Sequence, residues 1–371
     1  RIALHVLGLM GSQPDRIVLG FMAATAFLSM WLSNTATTMM MLPIGLAVIG
    51  RLGSGSQTPF GRSLMLGIAY SASIGGVATL IGTPPNAVLA GVVEKQLDMT
   101  IGFAQWMLFG LPLAVVMLVV AWWYLTHIAA RLCGRPGDCG TEVIRGEIGQ
   151  LGSMSSAERR VLAVFATVAV LWVFKGLLLP GLLGPISDST IAMAGAIALF
   201  AIPADRDAKS GLLDWHSAVG IPWDILLLFG GGFALAHGFQ QSGLTEWIGS
   251  QLEFLRQVHW FVLLAAVALV TIFLTEVTSN TATASMLLPI VAGLAAGAGQ
   301  DPLAPMVAAA LAASFAFMLP VATPPNAIVF ASRQISIPEM ASAGIWMNLV
   351  GLALIALFVS LVLPWVWGPR G

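Results

Sequence analysis

Long stretches of this 371-residue chain contain no charged side chain. They run between Arg62 and Glu94, Asp98 and Arg131, Asp224 and Glu246, Asp301 and Arg333, and Glu339 and Arg370. Each exceeds the roughly 20 apolar residues that a helix needs to cross about 30 Å of hydrocarbon. The chain therefore reads as an all-α polytopic membrane protein. Composition agrees: 58% of residues are hydrophobic and 9% charged, and a formal net charge of −1 gives no reason to expect a nucleic-acid partner.

One apolar stretch has an awkward length. Between Arg16 and Arg51 lie 34 uncharged residues, with Ser33-Asn34-Thr35 at their centre. A single crossing needs fewer residues, and two crossings with a turn need more. Two arms of about 16 residues, at 1.5 Å each, reach roughly 24 Å and stop short of the far side. The expectation is a re-entrant helical hairpin over 17–50, with its tip near mid-membrane. Residues 257–300 repeat the plan around Ser279-Asn280-Thr281, and the wording is nearly the same: WLSNTATTMMMLPI at 31–44, VTSNTATASMLLPI at 277–290.

Five candidate spans separate the hairpins, at about 64–90, 102–130, 161–180, 189–203 and 224–242. A re-entrant hairpin returns to its own side, and five is odd, so the two hairpins must enter from opposite faces. That is an inverted-topology repeat, an architecture of secondary transporters. A second phrase supports it. GTPPNAV (82–88) recurs as ATPPNAI (322–328), shifted by 240 residues rather than 246, and Trp106 recurs as Trp346 at the same shift. A repeat of this kind sets the organisation. Residues 1–130 form the later part of repeat one: hairpin 17–50, broken helix 64–90 and span 102–130. Residues 131–160 form a connector, and 161–371 form repeat two: scaffold spans 161–242, hairpin 257–300, broken helix 303–332 and span 341–367.

The second copy has about 90 residues (157–246) ahead of the part that aligns with Arg1, and the first copy has none. The chain also opens on Arg without a signal-peptide pattern, so an N-terminal truncation is expected. Lys and Arg in short loops set orientation. With the 131–160 connector cytoplasmic, 12 of these residues fall inside, and Lys95, Lys175, Arg256 and Arg370, 4 in all, fall outside. The first hairpin then opens to the cytoplasm and the second to the exterior.

The repeated words carry a chemistry suited to small ions. A helix that starts after Ser-Asn-Thr aims free N–H groups and a partial positive charge at the midplane, which suits a carboxylate or similar anion. Asn34 and Asn280 add amides, and Thr35 and Thr281 add hydroxyls. The end of the preceding arm leaves carbonyls that suit a hard cation such as Na⁺. In Thr-Pro-Pro-Asn, Pro84, Pro85, Pro324 and Pro325 lack N–H groups and free carbonyls one turn back. Broken backbone at membrane depth is tolerated where protein or an aqueous cavity satisfies it. Alone, Ser-Asn-Thr is an ordinary helix cap and Pro-Pro an ordinary kink. Two copies of each make a ligand and ion site the better reading.

Other features say less. Glu276 lies at membrane depth, where a carboxylate is expensive, and its first-copy counterpart is Met30. A site or gating role and a structural hydrogen bond both stay open for it. The five histidines are scattered, and Cys133 and Cys139 alone make neither a disulfide framework nor a zinc site. Gly230-Gly231-Gly232 reads as close helix packing, and most of the 12 tryptophans as interface anchors. No His-Glu-x-x-His occurs, and no nucleophile–base set supports an enzyme.

With paired SNT at 33–35 and 279–281 and paired TPPN at 83–86 and 323–326, the sequence resembles the divalent-anion/sodium symporter family, the Na⁺/dicarboxylate cotransporters. TEVTSNTATASMLLPI (275–290) carries the likeness most strongly. The resemblance implies a homodimer in the bilayer of a bacterial inner membrane, in which a transport unit moves elevator-fashion against a fixed scaffold. It implies Na⁺-coupled symport of C4 dicarboxylates such as succinate, malate and fumarate. One Na⁺ would use Ser29, Ser33, Asn34 and backbone at Gly82; a second would use Thr275, Thr278, Asn280 and backbone at Ala322. Substrate carboxylates would meet Asn34, Thr35, Asn280, Thr281, Thr323 and Pro324. Sulfate symport and dicarboxylate exchange are alternatives on the same frame. A cation/proton antiporter, with Glu276 or Asp224 carrying the proton, is a different class.

Overall fold

A computed structural model describes residues 1–9, 13–51, 58–132, 146, 148–149, 151–178, 186–204, 211–244, 247 and 258–368. Cys133, Cys139, half of the 131–160 connector, residues 179–185 and 205–210 of the scaffold spans, and residue 257 at the start of the second hairpin lie outside them. Among the described residues the fold is all helical; the β pairing is one isolated bridge, Pro203 with Gly211.

Proline and hydroxyl chemistry sets many of the helix starts. After α1 (Ile2–Leu9), α2 spans Pro14–Ser29 and α3 spans Asn34–Arg51. α4 (Pro59–Val77) begins with Thr58 Oγ1 accepting the Gly61 N–H at 3.1 Å. α5 spans Pro84–Leu97, with its two prolines in the first turn. That turn has no use for their missing N–H groups, so the prolines begin a helix here rather than bend one. α6 (Phe103–Trp123) runs on into a π-helical turn, Tyr124–Ala129. Then come α7 (Ser156–Leu178), α8 (Asp188–Ala201), a short α9 (Trp215–Ala218) and α10 (Trp223–Gln241).

The second set follows in the same order as the first. α11 (Trp260–Thr275) and α12 (Asn280–Gly297) correspond to α2 and α3, and α13 (Leu303–Ala313) and α14 (Pro324–Ala331) to α4 and α5. α15 (Ile337–Leu361), opened by a Ser336–Glu339 capping box, corresponds to α6, and α16 (Leu363–Trp367) closes the described chain. The arms of each tip pair hold 16 and 18 residues. At 1.5 Å per residue the longer arm reaches about 27 Å, somewhat more than the sequence estimate. By length and composition α12 could cross a membrane, as could α6 with its π turn and α15 with α16.

α4 and α13 form the buried axis. Nearly every residue of both is shielded from solvent. The alanines of α13 let neighbours come close without side chains in the way, and a Cβ on Gly75 would sit 2.3 Å from the Ala26 carbonyl oxygen of α2. The two sets interlock: α14 packs on α3 and α4, and α5 packs on α12 and α13. Tyr70 of α4 donates to the Phe317 carbonyl at 3.0 Å, with the two rings 4.9 Å apart. Lys175 of α7 pairs with Asp188 of α8 at 2.5 Å, and Asp188 also accepts the Phe103 N–H at 3.0 Å, which docks these helices on the start of α6. α10 lies against α12 and α5.

Candidate ion and substrate site at the two tips

Each tip brings one hydroxyl, one amide oxygen and one carbonyl together. At the first, Ser29 ends α2 and Asn34 begins α3, four residues of turn apart. Ser29 Oγ lies 2.6 Å from Asn34 Oδ1 and 2.7 Å from the Ala72 carbonyl oxygen. At the second, Thr275 Oγ1 lies 2.8 Å from Asn280 Oδ1 and 3.0 Å from the Ala313 carbonyl oxygen. A hydroxyl has one proton to give. In both places it faces two acceptors, so one close oxygen–oxygen contact is left without a proton.

At the first tip a fourth oxygen joins. Turning the Asn34 amide would put its nitrogen 2.6 Å from Ser29 Oγ, 3.0 Å from Ala72 O and 3.2 Å from Gly82 O. Two arrangements satisfy these atoms: the amide turned to donate, or a cation among four neutral oxygens. The space depends on glycine. A Cβ on Gly76 would lie 2.6 Å from Asn34 Oδ1, and one on Gly82 would lie 2.4 Å from Gly76 O.

A polar chain links the tips. From Gly82 the backbone passes to Thr83, whose Oγ1 is 3.3 Å from Ser314 Oγ, and Ser314 follows Ala313. Thr83 is 1% exposed and Ser314 is fully buried, so this bridge between the broken segments is sealed from solvent. Residues 78–83 and 314–323, which separate the broken helices, are each clamped by an asparagine. Asn86 Nδ2 donates to Thr79 O at 2.8 Å, with longer contacts to Val77 and Gly76 oxygens. Asn326 Nδ2 donates to Leu319 O at 3.0 Å and Ala316 O at 3.1 Å.

The braces differ. In the first set, Thr79 donates to Met30 O at 2.6 Å and accepts the Gly82 N–H at 3.0 Å. In the second, the Glu276 carboxylate accepts the N–H groups of Phe317, Met318 and Leu319 at 2.9–3.0 Å and Asn348 Nδ2 at 2.7 Å. Glu276 is 3% exposed, and its oxygens are filled by structural donors. Of the two roles left open by the sequence, the hydrogen-bonded one is seen.

The residues singled out from the sequence divide into groups. Ser29, Asn34 and Gly82 meet at the first tip; Thr275 and Asn280 meet at the second. Ser33 instead caps α3, its Oγ accepting the Ala36 N–H at 3.2 Å. Thr278 donates to Leu274 O at 2.8 Å and lies 2.6 Å from Thr283 Oγ1. Ala322 is buried in the second break, while Pro324 is exposed at its edge. Thr323 Oγ1 accepts the Asn326 N–H at 3.2 Å. Thr35 and Thr281 follow the two asparagines, and among the described residues neither hydroxyl has a hydrogen-bond partner. Sequence reading missed the Ala72 and Ala313 carbonyls, Thr79 and the Thr83–Ser314 bridge. A backbone carbonyl carries no side-chain signal, and Thr79 and Ser314 have no matching residue in the other copy. No Lys, Arg or His takes part in the contacts described for the tip residues.

The sodium-dependent dicarboxylate transporter SdcS of Staphylococcus saprophyticus is 43% identical over 379 residues, covering 99% of this chain and 73% of its own length. The SdcS of Staphylococcus aureus strain USA300 is 44% identical over 381 residues, with the same coverage. Among solved structures, the Alcanivorax borkumensis YdaH transporter aligns with a TM-score of 0.63 at 14% identity, over 97% of this chain and 83% of its own. Neisseria gonorrhoeae MtrF aligns with a TM-score of 0.57 at 14% identity, over 97% and 81%. These two share the helical transporter fold. The family described as the sodium:sulfate symporter transmembrane region matches residues 1–368, and with both tips and both broken segments inside that match, this chain belongs to it.

Proposed function

We propose that this protein is a secondary active transporter that carries C4 dicarboxylates of the succinate, malate and fumarate class together with Na⁺. The observation that carries the reading is the shared one: at each tip an asparagine amide and a backbone carbonyl converge within 3.0 Å of one hydroxyl oxygen. A small hard cation that binds neutral oxygens resolves both clusters at once, and Na⁺ fits such a donor set. The names of the SdcS relatives support the same ion and substrate class. When bound, two Na⁺ would supply the positive charge that the tips lack. The dicarboxylate would then be held by the Asn34 and Asn280 amides, the Thr35 and Thr281 hydroxyls, and the N-terminal turns of the helices they start, with Thr323 and Pro324 at the edge. Ser33 and Thr278 would have to give up their present bonds to join the ion shells.

Magnitudes limit the coupling. Carrying one charge across 100 mV is worth about 2.3 kcal/mol, so a dianion entering a negative cell costs about 4.6. Two Na⁺ cancel that charge and leave the concentration gradient as the drive, about 1.4 kcal/mol per tenfold per ion. Glu276 is saturated with structural donors, which weighs against the proton antiporter. Sulfate is the second reading, favoured by the family's own description; a compact dianion also fits neutral donors.

In this reading the tip pairs α2–α3 and α11–α12 are re-entrant, enter from opposite faces, and travel with the broken helices as one unit. α7–α10 form the scaffold of a homodimer in a bacterial inner membrane. Cysteine labels placed at Arg16 and Arg51 should react from one side only; opposite sides would remove the re-entrant assignment. The functional test is uptake of radiolabelled succinate by proteoliposomes. Uptake should require Na⁺ and be competed by malate and fumarate. Unchanged uptake in choline or K⁺, driven by internal dicarboxylate, would establish an exchanger instead, and sulfate uptake without succinate uptake would establish the second reading.

A further inference from the structure

α6 does not finish as an α-helix. Tyr124–Ala129 make a single π-helical turn, a rare element that recurs at functional sites. Beyond it Arg131 sits at φ 44°, and the Leu132 N–H turns back to Thr126 O at 2.8 Å. Two adjoining cavities lie between this widened end and the first turns of α15. One, of about 360 Å³, is lined by apolar groups that include Val120, Trp123, Trp346, Met347 and Val350. The other, of about 310 Å³, reaches Arg62, Ser342 and Glu339, and the two share Tyr124, Ile128 and Trp346. Arg62 and Glu339 form an ion pair at this polar end. Trp123 and Trp346 stand more than half exposed beside the apolar end.

We propose that this groove binds one phospholipid whose headgroup carries both a phosphate and a primary ammonium. α6 and α15 belong to the helices long and apolar enough to cross a membrane, so the apolar cavity between them opens to acyl chains. The tryptophans suit the headgroup level. The polar end selects the headgroup. Arg62 offers its guanidinium to a phosphate; Glu339 Oε2 already holds the Ser336 N–H and hydroxyl, so Oε1, which pairs with Arg62, and Ser342 Oγ are the oxygens left for an ammonium that can donate hydrogen bonds. A purely anionic headgroup meets the Glu339 charge, and a quaternary ammonium has no proton to give it.

The position gives the lipid something to act on. Trp346 and Met347 immediately precede Asn348, which donates to Glu276, and Glu276 holds the N–H groups of 317–319. A lipid wedged against this turn of α15 therefore steadies the brace of the second broken segment. This goes beyond the transport reading and does not depend on which anion is carried.

The test is native mass spectrometry of the purified full chain with three phospholipids of matched acyl chains, carrying ethanolamine, choline or glycerol headgroups. One ethanolamine lipid should remain bound per chain, retained roughly tenfold more than either other, the size expected for a hydrogen bond to a charged group. Val350→Trp, which fills the apolar cavity, should abolish retention. Glu339→Gln, which keeps the capping box of α15, should retain lipid but lose the preference for ethanolamine over choline. Equal retention of the three headgroups by the unaltered protein, an unchanged preference in Glu339→Gln, or undiminished retention in a folded Val350→Trp would overturn the proposal.

Discussion

The two tips share an atomic pattern but are braced by different chemistry. Ser29–Asn34–Ala72 and Thr275–Asn280–Ala313 put the same three kinds of oxygen in the same relation. Asn86 and Asn326 clamp the two broken segments in the same way. Behind them, a neutral threonine holds the first segment, and a buried carboxylate with four donors holds the second. The tryptophans repeated at a fixed interval have parted company as well. Trp106 is buried and donates to Val77 O at 2.9 Å, whereas Trp346 is 58% exposed. The difference teaches that the oxygens at the tips define the common chemistry, while each half has found its own means of holding them still. It also makes the halves experimentally separable.

The largest effect falls where the halves agree. Asn34→Ala and Asn280→Ala each remove one amide oxygen from a tip cluster, and each should abolish most Na⁺-driven uptake, by roughly a hundredfold if about 3 kcal/mol of charged hydrogen bonding is lost. Both variants should stay folded, since both side chains are only half buried. A large loss in one and full activity in the other, measured in proteoliposomes with intact protein, would break the equivalence of the tips.

Next comes the place where the halves differ. Glu276→Gln gives up a charged acceptor and turns an N–H₂ group toward backbone donors, so thermal unfolding should report a loss of roughly 3 kcal/mol. Thr79→Val, at the corresponding brace, should lose only about 1 kcal/mol. Equal losses would mean that the carboxylate is not the stronger brace.

Asn86→Ala and Asn326→Ala should be matched and intermediate, each about 1–3 kcal/mol less stable because carbonyls lose buried donors. Their Na⁺ dependence should persist in whatever protein folds, since neither amide touches a tip oxygen in the contacts described. Abolished Na⁺ dependence in folded Asn326→Ala would place it in an ion shell instead. Smallest among the effects on transport, Thr35→Ala and Thr281→Ala should each weaken succinate affinity roughly tenfold, by loss of one hydrogen bond to a charged group, and leave the Na⁺ requirement in place. A changed Na⁺ requirement with unchanged succinate affinity would reverse their assignment.

Much of this was legible in the sequence, for physical reasons. Charge-free runs can be read directly, and they marked an all-helical membrane chain. The repeated Ser-Asn-Thr and Thr-Pro-Pro-Asn words fall at helix starts, because asparagine and proline favour first turns that lack hydrogen-bond partners. Asn34 and Asn280 stand out from their repeated words, whereas Ser29 and Thr275 enter only through the family resemblance. What stayed hidden is backbone or unrepeated. The carbonyls of Ala72 and Ala313 depend on how α4 and α13 pack, and the Thr83–Ser314 bridge joins residues 231 positions apart. Glu276 was visible as a costly buried charge, but its role needed the three N–H groups of a segment 41 residues away or more. The π turn in α6 left no mark in the apolar run that contains it.

The central claim is that both tips hold one dicarboxylate together with Na⁺. Isothermal titration of succinate into purified Asn280→Ala, at saturating Na⁺ and in choline, tests it most directly. The account predicts succinate affinity lowered at least tenfold in Na⁺ and no measurable binding in choline. Near-normal affinity in Na⁺ would mean that the second tip does not touch the substrate, and the two-sided site would be wrong.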